Sequence, residues 1–170
     1  TATWRGISLK KLLLDCGVKI PKNEIIKKFQ ETYLGNGSFK GFIDNEKLIL
    51  SRNILAELYK KFRLAIVTGR PKEEAYYVLK RFGILDFFDV IIAMEDYPKE
   101  KSKPDPYPIK LAISKLGSNN AVYLGDTVDD MKAAKNAGIK SIGVVPPYVS
   151  ADRLKPLLEQ NGAESVILDV

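Results

Sequence analysis

From Leu64 onward the chain alternates without a break between short apolar runs and segments of helical periodicity. The runs are LAIVTG (64–69), DVIIAM (89–94), AVYLGD (121–126), SIGVV (141–145) and SVILDV (165–170). Helical patterns lie between them over Glu73–Phe82, Pro106–Leu116, Asp129–Ala137 and Ala151–Gln160, the first three stopped by Gly83, Gly117 and Gly138. Strands that are apolar throughout need cover on both faces, and a helical crossover between them makes neighbouring strands parallel. The pattern therefore predicts an α/β core: a doubly wound, Rossmann-like parallel sheet with right-handed crossovers. Ligands bind such sheets beyond the carboxyl ends of the strands. Chemistry is expected just after residues 68, 94, 125 and 145.

Ahead of Leu64 the periodicity is helical only. Helices are expected over Ile7–Cys16, from Pro21 to about Leu34, and over Glu46–Phe62, with a glycine-rich loop at 35–45. The expected division is a small helical region, residues 1–45, and an α/β core, residues 46–170. Charge is uneven in the same sense. Residues 1–63 hold 13 Lys/Arg against 6 Asp/Glu, net +7, whereas residues 64–170 hold 14 against 15, net −1. A Lys-rich solvated surface accounts for this, and a lobe that steers anionic substrates is the sharper reading. Aromatic residues are not interleaved with the basic ones, so no nucleic-acid partner is expected.

No apolar run has the length of a membrane span, and no secretory pattern opens the sequence, so the expected compartment is the cytosol. One cysteine and no histidine exclude an intrachain disulfide, Cys-based zinc and any Ser–His or Cys–His pair. Acid–base work falls to carboxylates or lysine.

Three motifs fall at the expected rim. Asp126 ends the AVYLGD run and Asp130 follows four residues later, placing two carboxylates near one point, as a hard divalent cation requires. Helix capping explains either residue alone, but three carboxylates in five residues exceed what a cap needs. Thr68 and Gly69 offer a hydroxyl and exposed amides ahead of a helix, an anion site; the plain alternative is a Thr cap with Pro71 setting the first turn. Lys103, followed by Pro104, Pro106 and Pro108, is a single cation on a stiff loop, unless the prolines merely fix the entry to the next helix.

Together these motifs resemble the haloacid dehalogenase-like hydrolase superfamily. LAIVTGR is similar to its second motif, Lys103 with Pro104 and Pro106 to its third, and LGDTVDD with the following DMKAAKNAGIKSIGV to its fourth. The likeness covers about residues 48–170. The helical line LKKLLLDCGVKIPKNEIIKKF resembles the cap of the phosphoglycolate phosphatase-like and β-phosphoglucomutase-like members, which closes over the site. The resemblance implies a magnesium-dependent phosphatase acting on a small phosphorylated metabolite through an aspartyl-phosphate. It implies that Thr68, Gly69 and Lys103 bind the phosphate, that Lys103 also bridges it to the nucleophile, and that Asp126 and Asp130 hold Mg2+ or its waters. Asp129 matches no required position.

The family's first motif, two aspartates one residue apart after a strand, is absent. Asp15 is followed by Cys16 and Gly17 and sits in a helical pattern, which makes it a poor nucleophile candidate. The strand that would carry the motif is central, between LAIVTG and AVYLG. The chain is therefore expected to lack its nucleophile strand, to be found upstream of Thr1, supplied by a partner chain or swapped segment, or lost in a degenerate relative with rewired topology. Alternative readings are a non-catalytic phosphate- or metal-binding relative, and a phosphomutase or phosphonatase. A dehalogenase would leave the Asp126/Asp130 pair unexplained. An unrelated nucleotide binder would need a better glycine turn than Gly69–Arg70–Pro71.

Overall fold

The computed structural model describes Thr3–Trp4, Ile7–Ser8, Gly17 and residues 21–168. The chain divides into two compact units, Thr1–Lys47 and Leu48–Val170.

In the first unit Thr3–Trp4 (β1) and Ile7–Ser8 (β2) pair antiparallel, Trp4 opposite Ile7. Both are good strand formers. The expected helix therefore does not start at Ile7; residues 9–16, Asp15 among them, lie outside the described residues. Lys22–Leu34 (α1) follows Pro21, and Phe29 stacks on Tyr33 one turn later at 5.9 Å between centroids. Beyond it Gly35 bridges to Lys40 and closes the glycine-rich loop. The close approach leaves Gly41 no alternative, since a Cβ there would lie 2.3 Å from the Tyr33 carbonyl.

The helix expected over Glu46–Phe62 is confined to Arg52–Tyr59 (α2). Ser51 starts it by accepting a hydrogen bond from the Ile54 amide at 3.3 Å. Leu48 and Leu50 stay non-helical and pack against Leu55, Leu79 and Ile84. Tertiary burial overrides helix propensity there.

The remaining elements follow the sequence alternation. They are Ala65–Val67 (β3), Lys72–Arg81 (α3), Val90–Ile92 (β4), Tyr107–Leu116 (α4), Val122–Gly125 (β5), Val128–Ala137 (α5), Lys140–Val144 (β6), Ala151–Gln160 (α6) and Ser165–Ile167 (β7). Gly117 and Gly138 end α4 and α5 at φ +68° and +78°, the left-handed conformation that glycine tolerates best. All strand pairs in this unit are parallel.

The sheet is in two pieces, β3–β4 and β5–β6–β7. Leu64, Ile66 and Ile91 pack against α2 and α3 through Leu55 and Leu79, and Ala65, Val67, Val90 and Ile92 pack against Ala112 of α4. The first piece is thus covered on both faces. Beneath α4 and α5, one cluster joins the two pieces, bringing Val67 and Tyr123 together with Ile109, Ala133 and Ala134. On the opposite face of β5, Val122 and Leu124 remain 49% and 54% exposed, unusual for a parallel strand.

β3 and β5 each have one paired edge, and among the described residues neither has a strand at its other edge. The hydroxyl of Tyr123 on β5 lies 3.5 Å from the carbonyl of Val67 on β3. One strand needs about 4.8 Å to each neighbour, so a slot for one strand is about 10 Å wide. A tyrosine side chain and one hydrogen bond span such a distance. The break falls where the family resemblance puts the central strand, and no described residue fills it.

Candidate functional site

Asp130 is the hub. It lies in the first turn of α5 and is 4% exposed. Its Oδ1 accepts from Lys103 Nζ at 2.5 Å and from the Tyr123 hydroxyl at 3.0 Å. Its Oδ2 accepts from the Thr127 amide at 3.1 Å and the Thr127 hydroxyl at 2.6 Å, while Thr127 Oγ1 accepts from the Asp130 amide. This reciprocal cap satisfies the helix start and locks the carboxylate at once. Burial acts to raise the Asp130 carboxyl, but Lys103, by charge and hydrogen bond, together with Thr127 and Tyr123, outweighs it and holds the group below the usual carboxylate range.

Gly125 makes room for this arrangement. A Cβ on Gly125 would lie 2.4 Å from Asp130 Cβ and 2.8 Å from its Cγ. Gly125→Ala is accordingly expected to cost about 1–3 kcal/mol by overpacking. The measurement is the chemical-denaturation midpoint, and an unchanged midpoint would mean Asp130 gives way freely.

Lys103 lies in a half-buried position on the loop before α4. Asn136 donates to the Pro104 carbonyl at 3.3 Å, and Asp105 accepts from Lys101 and from the Tyr107 amide, so the loop is tied at several points besides its prolines. Lys103 Nζ donates to Asp130, to Tyr123 Oη at 3.1 Å and to the Val67 carbonyl at 3.4 Å. Its three protons are matched by three acceptors.

Thr68 follows Val67 directly. Its Oγ1 accepts from the Arg70 amide at 3.1 Å, and its carbonyl accepts from the buried Tyr97 hydroxyl at 3.3 Å. Gly69 is exposed beside it. The turn after β4 braces this loop. Met94 N donates to the Arg70 carbonyl, Glu95 accepts from the Lys72 amide at 2.8 Å, and Asp96 pairs with Lys72 Nζ at 2.6 Å.

Asp126 is exposed at the end of β5, yet its carboxyl is raised above the usual range, first by the water-poor crowding around the group and then by the charge of Asp130. Asp129 is exposed on α5. Among the described residues no three Asp, Glu, Cys or His side chains gather into a metal cage. A magnesium ion is content with one or two protein carboxylates, completing its shell with waters and phosphate oxygens. Asp126 fits that role, whereas both oxygens of Asp130 are already engaged.

The structure thus brings Thr68, Lys103, Asp126 and Asp130 to one rim, as the sequence motifs anticipate. It adds Tyr123, Tyr97 and Thr127. For Tyr123 a signal existed: ahead of Asp126 it is the one polar-tipped residue of the run AVYLG, two positions before Gly125 and so on the same face of the strand.

Comparison with known proteins agrees with this fold. A sequence profile of the family described as haloacid dehalogenase-like hydrolase matches residues 2–144. An imidazoleglycerol-phosphate dehydratase from Phytophthora nicotianae is 38% identical over 143 residues, 82% of this chain and 30% of that protein. Pyrophosphatase PpaX from Halalkalibacterium halodurans is 43% identical over 82 residues, 47% of this chain and 37% of its own length. A phosphoglycolate phosphatase from Cereibacter sphaeroides is 35% identical over 79 residues, 46% and 35% of the two chains. The chain thus spans about a third of these relatives.

Among solved structures, a candidate β-phosphoglucomutase from Thermotoga maritima superposes with a TM-score of 0.74 at 24% identity, covering 96% of this chain and 74% of that one. CbbY from Rhodobacter sphaeroides, solved with phosphate, gives 0.60 at 24% identity over 74% and 56%. By its profile match and its fold, this chain belongs to the haloacid dehalogenase-like hydrolases.

Proposed function

We propose that this chain supplies the phosphate- and magnesium-binding half of a phosphatase site that acts on a small phosphorylated metabolite. The observation that carries the reading is the convergence of one fixed cation, Lys103, with Asp126, Asp130 and the Thr68 loop at the carboxyl ends of β3 and β5. Such a set neutralises and orients a transferring phosphoryl group. Thr68 and the Gly69 amide receive the phosphate oxygens. Lys103 balances their charge, giving up its longest bond, to Val67, as it does so. Asp126 holds magnesium, which when bound draws charge from the phosphoryl oxygens. Asp130 holds Lys103 and the start of α5 rather than the ion.

The nucleophilic carboxylate belongs to an extended segment lying in the slot between β3 and β5. Its oxygen bonds to phosphorus as the ester P–O bond breaks, and a second carboxylic acid gives its proton to the departing alkoxide. Water then bonds to phosphorus, returning a proton to the second carboxylate as the acyl P–O bond breaks, which releases inorganic phosphate and restores both carboxyl groups. The segment is sought upstream of Thr1.

The test is hydrolysis of p-nitrophenyl phosphate by the polypeptide extended through that segment. Activity is expected to vanish with EDTA and to return with magnesium, and Asp126→Ala should remove the response to magnesium. Hydrolysis indifferent to EDTA would overturn the reading, and an extended chain that binds phosphate without turnover would favour a non-catalytic module.

A further inference from the structure

We propose that Tyr123 is a positioning residue that fixes the pose of Lys103, a role that rests on the phosphatase reading for its catalytic consequence but not for its geometry. An ammonium group has no lone pair, so Lys103 donates to Tyr123 Oη and the single phenolic proton must go elsewhere. The shorter route is to Asp130 Oδ1 at 3.0 Å, against 3.5 Å to the Val67 carbonyl. Lys103, Tyr123 and Asp130 therefore form a closed triangle with a fixed direction of donation, in which Lys103 also meets Asp130 directly.

Two anchors constrain a flexible four-carbon chain where one does not. When a phosphoryl oxygen takes over the place of Val67, Tyr123 and Asp130 still hold the ammonium. With Asp130 alone, Lys103 pivots about a single contact. The tyrosine ring is suited to the task, because it is packed with Val67, Ile109, Ala133 and Ala134 and has only two torsions to set.

Tyr123→Phe removes the hydroxyl and keeps the ring, so the packing is retained. The first measurement uses the 170-residue chain: the ammonium cross-peak of Lys103 in a 15N–1H spectrum, assigned with Lys103→Arg. It is expected to be sharp and slow to exchange in the parent chain and lost in Tyr123→Phe. The second uses the polypeptide carrying its upstream segment, where Tyr123→Phe should lower kcat about tenfold, the worth of one charge-assisted hydrogen bond. KM should move by less than about twofold, because the substrate's own contacts are unchanged.

A cross-peak that persists in Tyr123→Phe overturns the proposal, as does a lost cross-peak with unchanged kcat. A parent chain that shows no hydrolysis while its cross-peak disappears in Tyr123→Phe would sink the phosphatase reading and leave the positioning role standing.

Discussion

A six- to nine-residue apolar peptide ending in Asp-x-Asp, added in trans, is expected to raise the thermal midpoint of this chain by roughly 5–10 °C at a hundredfold excess over Kd. Ligand linkage sets the size: such an excess stabilises by about 2.7 kcal/mol, and a domain of this size shifts about 2–4 °C per kcal/mol. The physical driving force is the pair of strand edges at β3 and β5, whose backbone groups have no ladder partner on that side among the described residues. Val122 and Leu124 beside them add apolar surface. A strand between two parallel neighbours is buried on both faces, so the peptide must be apolar throughout rather than alternating. Hydrogen exchange should slow at the amides of β3 and β5 and little elsewhere. A proline at the centre of the peptide cannot donate to the ladder, and it should abolish both effects. An equal shift with the proline peptide would show that the binding is not strand insertion.

Asp130→Ala is expected to cost about 3 kcal/mol, or roughly 6–12 °C in thermal midpoint, because it leaves Lys103 half-buried without its counter-charge. The effect exceeds loss of a surface pair, since the Asp130 side chain is only 5% exposed and that of Lys103 18%. Removing both charges together, as Lys103→Met with Asp130→Leu, should recover much of the loss, and the coupling is read from the double-mutant cycle. The pH dependence has a definite sign. A carboxyl depressed in the fold contributes stability that is complete above its unfolded value, about 3.9, and lost as pH falls through the folded value. The parent chain should therefore lose stability in acid below about pH 4 in a component that Asp130→Asn lacks. Superimposable acid profiles would show that the ion pair is not worth what its burial implies.

The parallel core was legible because continuous apolar runs with glycine-stopped helices leave few other folds, and every strand and α-helix from Leu64 onward overlaps the segment the alternation gives it; the short 3-10 turns Leu85–Phe87, Met94–Asp96 and Lys99–Lys101 carry no such period. The candidate site was legible as types of residue: Thr68 and Asp126 directly after strands, Lys103 on a proline-rich loop and Asp130 in the first turn of a helix. What they touch was not. That Asp130 is consumed by Lys103, Tyr123 and Thr127 depends on the depth of α5 against β5, which no local spacing encodes. Tyr123 shows in the sequence only as a polar tip within an apolar run, and its hydroxyl's neighbours give it a role. Before Leu64, Ile49, Ile54, Leu55 and Leu58 share one side of a helical pattern, and the burial of Leu48 and Leu50 against Leu79 and Ile84 decided otherwise for the residues ahead of Ser51. The Trp4–Ile7 pairing involves strands of two residues each, too short for a hydrophobic period to announce them.

The Thr68 loop and the turn that leaves β4 are one mechanical piece. Through Met94, Glu95 and Tyr97, the carbonyls of Arg70 and Thr68 and the first amide of α3 are held from a neighbouring strand's exit. Inherited separately, the two loops would lose their meaning: transplanting the Thr-Gly-Arg stretch into another sheet would carry the letters across and leave the posture behind.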